Sequence, residues 1–199
     1  MKDRTELNRA VICGYFLLAA LTLLAYTPGC ASPKGETSGE KRNYVDNMAA
    51  GSLAKLHVFK PETRDVIASA PGYAVFDAVQ TMVLITSTGN GYGLVHNNRT
   101  GEDHYMSAFG LGAGLGVGIK AQRIIIVFED EQMINKFITD GWVFGASGTA
   151  TAAAVNVEQE AVGNTFFKDG MRTYTFTENG LMAGVSLRGG KVWPNKELN

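Results

Sequence analysis

Reactive side chains are what this sequence has least of. Cysteine occurs only as Cys13 and Cys30 in 199 residues, and Cys13 lies inside an apolar N-terminal run. Neither cysteine catalysis nor a cysteine-ligated zinc site can be assembled from that supply. Histidine is confined to His57, His96 and His104. His96 and His104 can approach across a hairpin, but no third ligand stands at a recognisable spacing, so no metal is assigned. Ser107 and Ser186 lack a G-x-S-x-G setting. Glu158 and Glu160 share a strand face and read as a solvated edge, not as an acid–base pair. Charge of one sign is also missing. A net charge of -1 gives no basic surface for nucleic acid, and Trp142 and Trp193 read as core or interface residues instead of base-stacking platforms. No catalytic residue and no cofactor follows from this inventory, and the chain reads as non-enzymatic.

Glycine, by contrast, is abundant. There are 24, and Gly110, Gly112, Gly114, Gly116 and Gly118 alternate with Leu111, Ala113, Leu115, Val117 and Ile119. A strand sends successive side chains to opposite faces, so this period of two gives one bare and one aliphatic face. The spacing matches neither G-x-x-x-x-G-K-[ST] nor G-x-G-x-x-G, which excludes a phosphate loop. The stretch reads as the centre of a sheet, with its bare face packed by another backbone.

The N-terminus is organised differently. Lys2, Arg4 and Arg9 precede the apolar run Ala10–Ala25, and small Gly29 stands before Cys30. This reads as a signal peptide over residues 1–29. It resembles the bacterial lipoprotein processing site, which makes Cys30 the acylated (palmitate-bearing) mature N-terminus and lipid anchor. An uncleaved signal anchor is the alternative, since the run approaches the length that spans a bilayer. Residues 30–42 read as the lipidated cysteine and a polar tether with too little apolar surface to fold. Ala31 lacks the aspartate that retains lipoproteins at an inner membrane. In a Gram-negative envelope that favours the outer membrane, with the domain in the periplasm.

The domain itself spans residues 43–199. Val45, Met48, Ala49, Ser52, Leu53, Leu56 and Phe59 follow helical spacing, and Lys60-Pro61 ends the helix. A second short helix, Glu62–Ala70, stops at Pro71-Gly72. Strands are predicted at Tyr73–Phe76, Met82–Thr88, Tyr92–His96, Asp103–Ile119, Arg123–Phe128, Trp142–Val157, Arg172–Thr177 and Leu181–Leu187. Asn97–Gly101 and Glu178-Asn179-Gly180 supply hairpin turns. One helix, Glu131–Thr139, is inserted between strands, with Asp130 as N-cap and Gly141 after its end. Short strands joined by short turns imply antiparallel pairing. The fold class is α+β: a strongly curved antiparallel sheet or partly open barrel with an N-terminal helix pair and one inserted helix.

These residues resemble the SYLF-domain family. The likeness lies in Pro71-Gly72-Tyr73-Ala74-Val75-Phe76, in Gly89-Asn90-Gly91-Tyr92-Gly93-Leu94-Val95, and in the glycine-alternating strand running into Ile124–Phe128. Trp142-Val143-Phe144-Gly145 and Gly180–Leu187 complete it, over about residues 44 to 194. Asp77 departs from the pattern, where proline is usual. The resemblance implies a binding module. Eukaryotic members bind phosphoinositide membranes through an N-terminal amphipathic helix, and some bind actin, whereas bacterial members are mostly exported lipoproteins. Neither phosphoinositide nor actin specificity carries over to a periplasmic protein. Membrane lipid is the implied partner. Val45, Met48, Leu53, Lys55, Leu56, Phe59 and Lys60 are the candidate lipid-binding residues, cations flanking an apolar stripe as on a membrane-surface helix. The same stripe can instead pack on the sheet. A second reading is therefore a scaffold that binds another envelope protein, with no lipid site beyond the acyl anchor.

Overall fold

The computed structural model describes residues 32–144, 164–168, 170–177 and 187–199, within one compact unit, Ala31–Asn199. The first helix, α1 (Ser38–Phe59), starts earlier than the apolar periodicity predicts. Thr37 is its N-cap: the hydroxyl accepts from Glu40 N at 3.2 Å, while the Glu40 carboxylate accepts from Thr37 N at 3.1 Å. That reciprocal box satisfies amide donors the first turn leaves open, and hydrogen bonds from Glu36 N first and then Thr37 N hold the Glu40 carboxyl below its usual range. Ser38–Arg42, expected as tether, is therefore helical, and Pro33 before it is buried. The signal was legible as Thr37-Ser38-Gly39-Glu40, a T-x-x-E box, and was masked by the polar composition around it. Helix α2 (Thr63–Ser69) follows directly.

The predicted short strands fuse. Strand β1 (Gly72–Asn97) and strand β2 (Asp103–Phe128) are 26 residues each. They pair antiparallel from Gly72↔Phe128 to His96↔Asp103, with one irregularity between Leu84 and Thr86. The polar and glycine positions that looked like breaks, Asp77–Thr81 and Gly89–Gly91, stay in the ladder, since backbone pairing is indifferent to side-chain polarity. The turn joining the strands is as expected. The Asn97 side chain accepts from Arg99 N and Thr100 N, at 2.9 and 3.2 Å.

A ribbon this long cannot stay straight in a small domain. A Cβ built at Gly91 would lie 2.7 Å from the carbonyl oxygen of Asp77 and 3.3 Å from Ala78. One at Gly93 would collide more severely with the carbonyl of Val75, and one at Gly72 with that of His96. The sequence numbers of these contacts run in opposite directions, so the two halves of β1 lie antiparallel against each other. The ribbon doubles back on itself. Strand β2 then carries different neighbours at its two ends. Strand β5 (Met171–Thr177) pairs with Gln122–Phe128, and β6 (Leu187–Pro194) pairs with Met106–Ala113. Strands β3 (Trp142–Phe144) and β4 (Asn164–Lys168) complete the order β3-β6-β2-β5-β4, with β1 on β2. The result is the expected α+β fold, an antiparallel sheet curled into a half-barrel.

Each face of the curl carries a core cluster. On one, Val45, Ala49 and Leu56 of α1 meet Val75, Tyr92, Leu94, Ile125 and Phe176. On the other, Ile134 and Phe137 of helix α3 (Glu131–Thr139) meet Phe76, Val95, Met106 and Phe128. Alternation along the strands delivers the two sets to opposite faces. Helix α3 begins as predicted, with Asp130 accepting from Met133 N at 2.7 Å. Beyond its end, Gly141 adopts φ 70°, where any Cβ would strike Val192.

Strand β4 was missed. Asp169-Gly170 between two β-rich runs was its signal, and Gly170 takes φ 74° as such a turn demands. The glycine-alternating stretch is a sheet centre: Gly110 is paired with Gly89 on one side and Gly190 on the other. The bare face over Gly112–Gly118, most of Trp142–Val157, Glu158, Glu160, Ser186 and the Asn179-Gly180 turn lie outside what is described. A close backbone approach is seen at Gly91 and Gly93.

Two glycine substitutions test this arrangement with opposite signs. Gly93→Ala is expected to lose ~1–3 kcal/mol or more, because the neighbour it meets is backbone. Gly51→Ala, inside α1 with nothing within 4 Å of a built Cβ, is expected to gain ~0.5–1 kcal/mol. Urea midpoints of the two variants, read against the parent, decide it. Equal midpoints contradict the doubled-back ribbon.

Candidate functional site

The apolar stripe of α1 is divided between core and surface. Val45 and Leu56 are fully buried in the core against the sheet, and Met48 and Leu53 are packed on it, partly buried. In this conformation Val45 and Leu56 cannot enter a bilayer. The three remaining predicted residues stay at the C-terminal end of the helix. Phe59 is half exposed and sits edge-on to Phe176, ring centroids 6.3 Å apart. Lys55 Nζ lies 5.9 Å above the Phe176 ring, and Lys60 Nζ lies 5.9 Å above Tyr174. Val58, which the periodicity passes over, is 75% exposed beside them. The helix thus ends in a lip: two outward apolar side chains between cations braced on aromatic rings of β5.

Beside the lip runs an open groove of about 440 Å³, lined by Asn47, Met48, Gly51, Ser52, Lys55, Arg123 and Phe176. Arg123 and Phe176 are register partners across β2 and β5. The Arg123 guanidinium is ion-paired with Asp77, and both side chains are largely buried. Asp77 also accepts a 2.9 Å hydrogen bond from the Tyr92 hydroxyl, and the Tyr92 ring packs against Tyr44 of α1. Burial first, then hydrogen bonds with Tyr44 and Asp77, push the Tyr92 phenol far up. A buried carboxylate left alone would be costly, so Asp77 depends on Arg123 as much as it orients it. Sequence reading missed this network because its members come from α1, both halves of the ribbon, and no local spacing joins them.

Nearer the start of α1, the Tyr105 hydroxyl donates to Asp46 at 3.0 Å. Burial and that carboxylate push its phenol up to about 12.

The other candidates take structural places. His57 Nδ1 is 2.9 Å from Thr63 Oγ1, and His96 Nδ1 is 2.7 Å from Asp103. His104 lies 4.0 Å from Glu102. Among the described residues no cluster of His, Cys, Asp or Glu suits a metal ion. Ser107 accepts from the Asn195 amide at 3.1 Å. Trp142 stacks on Phe137 in the second core cluster, while Trp193 is partly exposed, with Phe109, Leu111 and Val143, on the sheet. Lys191 is the register partner of both Phe109 and Val143. Cys30 lies outside the described residues. Among those described, no helix is long and apolar enough to cross a membrane.

Residues 109–199 match the protein family described as Ysc84: Las17-binding protein actin regulator. The chain is 32% identical over 163 residues to Beta cell expansion factor A of Aeromonas veronii, covering 82% of this chain and 60% of that protein. It is 29% identical over 139 residues to SH3 domain-containing YSC84-like protein 1 of Xenopus laevis, and 28% identical over 138 residues to the Homo sapiens protein of that name. Those two matches cover 67% of this chain and 41% and 40% of the relatives. The chain therefore spans less than two thirds of each of these relatives, and well under half of the two YSC84-like proteins.

The alkaline limit of stability has a defined direction here. A phenol raised in the fold contributes stability that is complete below its unfolded pKa, about 10, and is lost as pH climbs through the folded value. Tyr105→Phe is expected to lower stability at pH 8, where the bond to Asp46 is lost, and to flatten the decline between about pH 10 and about 12. Denaturation midpoints across that range check it. An unchanged alkaline slope contradicts the assignment.

Proposed function

We propose that this chain, a member of the SYLF (Ysc84) family, is a non-catalytic module that docks on membrane surfaces through the lip at the end of α1. The observation that carries the reading is the exposure of Val58 and Phe59 between Lys55 and Lys60, at a helix whose other large apolar residues are buried in the core or packed against it. Burying Val58 and Phe59 fully supplies at most ~1.5–3 kcal/mol each, and each lysine adds about 1 kcal/mol at an anionic surface. Set against association costs of ~4 kcal/mol and upward, the lip alone binds weakly. A lipid anchor changes this by making the contact intramolecular. The proposal therefore includes export, acylation of Cys30, and residence at the cell envelope with the domain facing the periplasm from the outer membrane. The mass of the mature N-terminus in the membrane fraction tests that part; an intact Met1 contradicts it.

A second reading has its own observation. Phe109, Leu111, Val143 and Trp193 leave an apolar area on the sheet with Lys191 among them. A cation amid the apolar residues suits a protein partner bearing a carboxylate better than hydrocarbon. The family description, which names a protein-binding regulator, supports a scaffold of this kind.

Flotation of unlipidated residues 31–199, which keep the Thr37 cap, separates the readings. The parent is expected to rise with anionic vesicles at high lipid, and Val58→Asp and Lys55→Glu/Lys60→Glu are expected to stay down with unchanged melting temperatures. A folded parent that stays at the bottom with both neutral and anionic vesicles overturns membrane docking in favour of the scaffold.

A further inference from the structure

Beyond β6 the chain leaves the ladder and folds back over it. The strand ends at Pro194, the register partner of Met106, and proline brings no N–H to a ladder. Asn195 N supplies the next bond, donating to Tyr105 O at 2.9 Å. A tight turn follows. Asn195 Oδ1 accepts from Glu197 N at 3.0 Å, and Asn195 O accepts from Leu198 N and Asn199 N, both at 3.2 Å. The turn returns Asn199 to the strand, where its side-chain amide stands in for a strand residue. Asn199 Oδ1 accepts from Tyr105 N at 2.9 Å, and Nδ2 donates to Tyr105 O at 2.8 Å.

The same five residues grip the first turns of α1. Leu198, 2% exposed, packs in the core cluster that holds Val45 and Ala49. Arg42 Nε donates to Leu198 O at 2.8 Å, and Lys41 is ion-paired with Glu197. Tyr105 joins strand, turn and helix. Its backbone is held by Asn195 and Asn199, its ring lies 6.0 Å from the Arg42 guanidinium, and its hydroxyl donates to Asp46. One buried leucine and a partly exposed ion pair are a light hold, since pairs of that kind contribute little. A segment so held opens locally at less cost than the whole domain unfolds.

We propose that residues 195–199 are a latch that opens as one unit with the amino-terminal half of α1. Closed, the latch fixes the start of the helix to β2 through Tyr105. Open, it uncovers the apolar face of Val45 and Ala49, while α3 and β5 stay folded on the rest of the sheet. The coupling is reciprocal. A partner that takes hold of residues 195–199 frees the start of α1, and one that packs on that start shuts the latch. The lip of Val58 and Phe59 lies at the other end of the helix and needs no opening, so the latch does not rest on membrane docking.

The test is hydrogen exchange on the full chain in an uncharged detergent, without vesicles, where the rate reads the opening equilibrium. Asn199→Ala removes both side-chain bonds to Tyr105. Amides of residues 42–49 and of Leu198 are expected to exchange together, about tenfold faster than in the parent, an opening easier by ~1.4 kcal/mol. Amides of residues 134–139 and 171–177 are expected to keep their parent rates. Arg42→Gln approaches the latch from the helix and leaves residues 195–199 intact. It is expected to speed the Leu198 and Asn199 amides, both bonded to Asn195 O. Acceleration in Asn199→Ala confined to residues 195–199 overturns the proposal, because the turn then opens without the helix. Equal acceleration in α3 and β5 overturns it as well, since the segment is then one part of a single global core. So does an Arg42→Gln variant whose Leu198 amide keeps its rate, or an Asn199→Ala variant in which nothing changes.

Discussion

The close passage of β1 against itself is the contact on which the rest of this domain depends. A two-stranded ribbon of 26-residue strands has two exposed edges and far too much length for a small sheet. Doubling it back brings the halves of β1 together, and backbone meets backbone where Gly91 faces Asp77. Only positions without a Cβ tolerate that distance. Once the ribbon is folded, β2 presents two separate stretches of outer edge, one taken by β5 and the other by β6. Val75 and Tyr92, seventeen positions apart in the chain, then become neighbours in one core cluster.

The same fold settles what α1 is available for. Helix α1 buries one narrow face, Val45, Ala49, Ser52 and Leu56, and that face closes the core over the doubled ribbon. Lifting it would expose Val45 and Leu56, each worth ~1.5–3 kcal/mol, and would uncover Tyr92 with the Asp77–Arg123 pair beneath it. A bilayer must exceed that loss before the whole helix can enter it. The residues at the end of α1 carry no such penalty, since Val58 is already exposed. For the proposed membrane docking, the lip is accordingly the lower-energy route, with the helix as its rigid support.

How much of this was legible depends on whether a signal was local. Helical spacing located α1 from Tyr44 onward and α3 with both its ends, because caps and apolar periodicity act within a turn or two. The curled antiparallel α+β class followed from short connections and glycine-rich strands. Strand continuity was not legible: Asp77, Gln80 and Gly89 read as interruptions, yet all three are paired with β2 in the ladder. Asp77 is tolerated there only because Arg123 and Tyr92, fifteen or more residues away, come to it. The candidate lipid-binding set shows the same limit. Periodicity identified the face of α1 but could not say what lies against it, so Val45 and Leu56 were grouped with Phe59 and Lys60, and Val58 was passed over.

The central claim is that α1 keeps its place on the sheet while the protein engages a membrane. Hydrogen exchange of the domain with and without anionic vesicles addresses it directly, under conditions where flotation shows binding. Amides of residues 45–56 are expected to remain equally protected in both states, with new protection confined to residues 57–60. Faster exchange across residues 45–56 on binding, together with newly exposed amides in β1 around Tyr92, contradicts the account, because it means the helix has left the sheet to enter the bilayer.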